Sequence, residues 1–172
     1  MKNIDVFLHL MWVEHEWNEE KITQFNSKSD YGIYQIYGDH PVYGENVLLY
    51  IGKARYQTYS LRLNQRIDFN ESHISKFRRL HLSYFCKTEG VNSSNWGEYI
   101  DLAEKLLINA HFPAYNSQEI KGPIKNETFK KEMLIFNWND RGKLLPEVSS
   151  LRYSYQFYDP KNLNFEKLLK EK

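Results

Sequence analysis

A single cysteine, Cys86, stands among 172 residues. One thiol cannot form a disulfide within the chain, and it argues against a cysteine-rich structural zinc site. A reducing, cytoplasmic setting is expected. Long apolar runs are also missing: Asp5 and His9 interrupt the stretch up to Val13, and Glu14, Glu16, Glu19 and Glu20 follow closely. Neither a signal peptide nor a membrane span reads that way, so no membrane partner is expected. Repeats and low-complexity tracts are absent, the five prolines are scattered, and a 20.7 kDa chain suits a single domain with one core of ordinary size.

Net charge is nearly absent too, at +1, but its distribution is uneven. Residues 1–50 carry three basic and eight acidic groups, whereas residues 53–89 carry eight and three. A local basic patch attracts a polyanion even on a nearly neutral protein. Lys76, Arg78 and Arg79 form its densest cluster and are candidates for contact with phosphates. A solvated basic surface is the plainer reading of the same residues.

Periodicity places several elements. Residues 5–26 mix apolar patches with acidic groups and suggest an N-terminal helix. Tyr31–Tyr37 and Asn46–Ile51 read as strands of a hairpin, with a turn at Gly38-Asp39-His40-Pro41, and residues 81–87 as a third strand. Leu61–Phe69 has helical spacing that sets Arg62 and Arg66 one turn apart. From Trp96 to Phe112, Ile100, Ala103, Leu107 and Ala110 recur at helical steps until Pro113. Glu104 lies beside that apolar stripe, where a carboxylate needs a partner or a cation. Leu134–Trp138 and Lys143–Val148 suggest a hairpin closed by the turn 139–142, and the last twelve residues a short amphipathic helix or a frayed tail.

The most informative stretch is Gly32-Ile33-Tyr34, then fifteen residues, then Tyr50-Ile51-Gly52-Lys53, with Arg62 ten positions past Gly52. Farther on come Ala103-Glu104-Lys105-Leu106-Leu107-Ile108 and Pro113-Ala114-Tyr115-Asn116. In this order the segments resemble the GIY-YIG endonuclease family over about residues 31–116, with 1–30 and 117–172 as extensions. The resemblance implies an α+β fold, a small three-stranded antiparallel sheet flanked by helices, here with an N-terminal helix and a C-terminal hairpin extension. It also implies a divalent-metal-dependent endonuclease that hydrolyses DNA phosphodiester bonds.

Carried onto this chain, the resemblance makes Glu104 the ligand of Mg2+ (or Mn2+), which is commonly held by a single carboxylate and several waters. Arg62 would grip the scissile phosphate with its forked donors. Tyr34 and Tyr50 would line the attacking water, Tyr34 being the preferred general base, with Lys53 the nearest cation to favour a phenolate. Gly32 and Gly52 would allow close backbone approach, and Asn116 would brace the site. Two departures stand out: Arg62 is set late, so that Tyr56–Tyr59 reads as a lengthened loop, and Arg66 stands where many relatives carry histidine. Arg66 would serve electrostatics alone, since its guanidinium stays protonated; His73, farther along, is a candidate to substitute for the missing histidine. A stand-alone restriction-type or DNA-processing enzyme is expected, acting on duplex or structured DNA, with a homodimer or sequential nicking if the target is palindromic. The alternatives are a non-cleaving nucleic-acid-binding module and an RNA substrate.

Overall fold

The computed structural model describes residues 4–65, 76–85, 96–116 and 132–150. Arg66, His73, Cys86 and the lysines 121, 125, 130 and 131 lie outside them, as does the expected C-terminal helix or tail. Strands β1 (Val6–Glu16), β2 (Gly32–His40), β3 (Gly44–Ala54), β4 (Lys76–Phe85), β5 (Met133–Asn139) and β6 (Glu147–Ser149) form one mixed sheet in the order β3-β2-β4-β1-β5-β6. The β1–β5 pair is parallel, and the other four pairs are antiparallel. Among the described residues three helices accompany it: α1 (Glu19–Ile22), α2 (Tyr59–Asn64) and α3 (Trp96–His111).

This corrects the expected architecture of a small three-stranded sheet flanked by helices. The three strands read from the sequence do lie side by side as β3-β2-β4, but the sheet continues through β1, β5 and β6. The N-terminal helix is not formed. Val6, Leu8, Leu10 and Trp12 are buried while Phe7, His9 and Met11 are half-buried, which is strand alternation. Its period was hidden because both sets are largely apolar; only the four-residue α1 is helical, capped by Asn18. The C-terminal hairpin forms as β5 paired with β6, but its second strand is only three residues long. Asn137 holds the wide connection by donating to the Leu145 carbonyl and accepting from the Trp12 indole, both at 2.9 Å. The turn after β2 also comes later than expected, past His40, and bulges bend β2 near Tyr37 and Gly38.

Each face of the sheet has its own core. On one face α3 lays Tyr99, Ile100, Ala103, Leu106 and Leu107 over Leu8, Leu10, Trp12, Ile33 and Ile51. On the other, α1 and α2 bring Ile22, Tyr59 and Leu63 against Tyr34, Ile36, Tyr50, Leu80 and Leu82. Thr58 caps α2 with its hydroxyl. Among the described residues no helix is long and apolar enough to cross a membrane.

His111 ties the end of α3 to the hairpin connection. Its Nε2 accepts from the Leu145 N–H at 2.8 Å, and its Nδ1–H donates to the Leu107 carbonyl at 2.8 Å, so the neutral ring is satisfied at both nitrogens. Burial lowers its pKa, and burial likewise lowers that of His81. With folded pKa values below the ordinary 6.5, the unfolded chain binds more protons as pH falls through that value. Stability is thus complete above it and lost as pH descends toward the folded pKa values. Thermal melts between about pH 7.5 and 5.5 are expected to show a falling midpoint, and His111→Gln a shallower decline. A flat wild-type profile would refute this.

Candidate active site at the end of strand β3

Strand β3 lies at the edge of the sheet, and its outward backbone groups are covered by the segment after α3. Ala114 and Tyr115 donate their amides to Leu48 and Leu49 at 3.2 and 2.8 Å. Asn116 completes the cover with its side chain: Oδ1 accepts from Ile51 N–H and Nδ2 donates to Ile51 C=O, each at 2.9 Å. The amide thus replaces a missing neighbouring strand at the centre of the Tyr50-Ile51-Gly52 sequence. Both Asn116 and Ile51 are buried.

Tyr34 and Gly52 face each other across β2 and β3, and Tyr50 faces Ile36. The two tyrosine rings are 6.1 Å apart, and Tyr59 of α2 meets Tyr34 edge-on at 6.4 Å. A Cβ on Gly52 would lie 2.5 Å from the Tyr34 hydroxyl and ring and 2.6 Å from the Tyr50 ring. Only glycine leaves room for this pair. Gly32 has a comparable cause: its φ is +144° and a Cβ there would come within 2.6 Å of the Tyr59 hydroxyl. That hydroxyl donates to the Ser83 carbonyl at 2.6 Å, and burial raises its pKa. Tyr59 was not singled out in the sequence, where nothing separates it from twelve other tyrosines. Tyr34 is fully buried and Tyr50 is 8% exposed.

Lys53, one residue on, points to the opposite face. It pairs across the ladder with Ile33 and reaches α3, where its Nζ lies 2.6 Å from a Glu104 carboxylate oxygen and 3.1 Å from Asp101. Burial pulls the Lys53 pKa down, but hydrogen bonding and attraction from Glu104, then Asp101, outweigh it and the net shift is upward. Arg55 forms an ion pair with Asp101 and stacks 4.5 Å above the Tyr56 ring. Arg62 arrives from α2. It lines a cavity of about 300 Å³ with Lys53, Arg55, Tyr56 and Gln57, where the two faces of the sheet meet at the end of β3. The tyrosines Tyr34 and Tyr50 do not line it.

Glu104 is 7% exposed, and with Asp101 one turn away it converges on a single cationic atom. One or two carboxylates with waters and substrate oxygens suit Mg2+, so this donor set fits such an ion once the Lys53 ammonium moves aside. Among the described residues no group of three or more histidine, cysteine, aspartate or glutamate side chains gathers to hold a metal.

Lys76, Arg78 and Arg79 are placed elsewhere. They lie at the start of β4, where Lys76 pairs with Asp39 and Arg79 with Tyr37, at the other end of the ladder from Tyr34 and Gly52. Asp39 lies about five strand positions, or roughly 16 Å, from Tyr34. Arg78 pairs with Asp39 at 2.6 Å, and Arg79 with Glu14 at 2.9 Å, so both are already charge-compensated.

Asn116→Ala removes two hydrogen bonds and leaves two buried backbone groups of β3 without partners. The expected loss is about 2 kcal/mol, read from urea unfolding, because an unmet buried group costs more than an average hydrogen bond contributes. A loss too small to resolve would contradict the clamp. No family model, no curated protein and no solved structure matches the chain.

Proposed function

We propose that the protein is a metal-dependent endonuclease that hydrolyses DNA phosphodiester bonds, in line with its resemblance to the GIY-YIG family. The observation that carries the reading is the meeting of Lys53, Arg55 and Arg62 in one cavity beside the Lys53–Glu104 ion pair. Cations from a strand end and from a helix surround a space large enough for a phosphate, and a nearly buried carboxylate stands behind them. In the same strand, Tyr50 and Gly52 pack against Tyr34. A solvated basic surface has no need of the nearly buried carboxylate.

In this mechanism Arg62 binds the scissile phosphate through its guanidinium fork and offsets the charge that develops on the pentacovalent phosphorus. Lys53 exchanges its Glu104 partner for a phosphate oxygen, freeing the carboxylate. Glu104, with Asp101 beside it, would hold Mg2+ or Mn2+, whose chemistry there would be Lewis-acid stabilisation of charge on the phosphoryl group. Tyr34 or Tyr50 would take the proton of the water whose oxygen bonds to phosphorus, as the P–O bond to the leaving sugar oxygen breaks and that oxygen takes a proton from solvent. Neither ring lines the cavity in the free protein, so the base must turn toward it on binding. Tyr50 is the nearer of the two to solvent. Asn116 keeps the strand that carries Tyr50 and Lys53 in register.

The already satisfied Glu104 favours a second reading, a nucleic-acid-binding module that does not cleave. Incubation of plasmid and mixed linear DNA with Mg2+ or Mn2+ separates the two. The nuclease reading expects cleavage that chelation stops, at least about 100-fold slower in Glu104→Ala and in Arg62→Ala. Tyr34→Phe and Tyr50→Phe identify the base, since loss of that hydroxyl costs about 100-fold or more. Undiminished cutting by Glu104→Ala would sink the metal assignment. Binding by the wild type without any cutting would establish the module instead.

A further inference from the structure

A second, larger cavity of about 550 Å³ adjoins the first and shares Arg55, Tyr56 and Gln57 with it. Its walls are aromatic: Tyr31 precedes β2, Trp96 opens α3, and Tyr56 projects from the connection between β3 and α2. Two of these rings are fixed before any ligand arrives. The Trp96 indole donates to the Tyr31 hydroxyl at 2.8 Å, and Phe85 packs on Trp96 with ring centroids 4.5 Å apart. The third ring, Tyr56, is 82% exposed and carries the Arg55 guanidinium over its face. Gly97 forms the back wall, where a Cβ would fall 2.5 Å from Arg55 and 3.0 Å from the Tyr56 hydroxyl. Lys28 adds a cation, while Gln57, Thr58 and Glu98 supply hydrogen-bonding groups.

The geometry points to a nucleobase pocket: this cavity receives one unstacked base of a DNA strand whose adjacent phosphate lies in the Lys53–Arg55–Arg62 cavity. Aromatic walls with an arginine plane suit any base, because every base presents a π face. The volume falls within the usual range for small-ligand sites and exceeds what a single base requires. Arg55 and Tyr56, shared by both cavities, put the base and the phosphate one nucleotide apart. A base in a regular duplex is stacked and paired and cannot enter a recess of this kind. The preferred substrate is therefore DNA with an unpaired nucleotide next to the phosphate to be cut.

This inference rests on the endonuclease reading for its phosphate, yet it is tested without cleavage. Fluorescence anisotropy in EDTA compares a paired 20-base-pair duplex, the same duplex with a one-nucleotide bulge, and the bulge carrying an abasic residue. The wild type is expected to bind the bulge at least about ten-fold more tightly than either control, since stacking one base on an aromatic side chain supplies an effect of that order. Tyr56→Ala, at an exposed position, should erase that preference without lowering the melting temperature. Equal affinity for all three duplexes, no binding to any of them, or a preference unchanged in Tyr56→Ala overturns the pocket. Displacement of the bulged duplex by micromolar deoxynucleoside monophosphates would assign the cavity to free nucleotides and overturn the strand assignment. If the bulge preference holds while no DNA is cut in Mg2+ or Mn2+, the pocket stands and the nuclease reading fails.

Discussion

Successive side chains of a strand point to opposite faces of its sheet, and on β3 that rule divides the candidate site. Tyr50 and Gly52 turn toward α2, whereas Ile51 and Lys53 turn toward α3. In the middle of a sheet the two groups would be separated by the full thickness of the backbone layer. Here β3 is an edge strand that ends at Ala54, so side chains from either face reach around its end. The cavity shared by Lys53, Arg55 and Arg62 lies at that end, and Arg62 crosses to it from the tyrosine side. The edge position would also invite pairing with another chain, a hazard that the 114–116 segment removes.

Charge at this place is arranged as a competition. Lys53 serves two carboxylates, and Asp101 is shared with Arg55. A cation already in place offsets part of the cost of removing water from an acidic pair, and the Lys53 ammonium does this for the nearly buried Glu104. On the proposed nuclease reading, neither a phosphate nor a metal ion would meet an open site, because Lys53 and Arg55 are already paired with Glu104 and Asp101. Each would have to draw off a partner: an anion attracting Lys53 and Arg55 would release the carboxylates, and a cation at the carboxylates would release Lys53. Under that reading the two exchanges would assist each other.

How much of this is legible in the sequence depends on which contrast the residues carry. Helix α3 could be read because its apolar positions recur against polar neighbours, and Glu104 drew notice as a carboxylate beside that stripe. β2 and β3 could be read from aromatic and branched residues bounded by glycines. β1 could not: Phe7 and Met11 are as apolar as the buried set they alternate with, so with only His9 polar the period of two is lost and neighbouring glutamates suggest a helix. Its place between β4 and β5 depends on pairings with distant segments, the one with β5 across more than a hundred residues, which no local pattern reports. Likewise Lys76, Arg78 and Arg79 look free in sequence, because Asp39 and Glu14 come beside them only when the strands pair. The aromatic cavity was invisible for the same reason, being assembled from Tyr31, Tyr56 and Trp96.

The glycines of the two motifs bear unequally on the question of cleavage. Gly32 is required by the Tyr59 hydroxyl, which donates to the Ser83 carbonyl, and Gly52 by the Tyr34 and Tyr50 rings. Both requirements are met in packing alone, with no substrate present. A protein that kept this sheet merely to bind a nucleic acid would need the same glycines, the same tyrosine contacts and the same Asn116 clamp. Packing places no such demand on a glutamate 7% exposed, which needs a lysine to offset its burial where an apolar side chain would serve. Arg62 is in a similar position: its Nε is buried without a hydrogen-bond partner among the described residues, at the wall of a cavity. The physical case for catalysis therefore rests on Glu104 and Arg62, the residues that stability alone would replace, and much less on the glycine and tyrosine sequences that first attract attention.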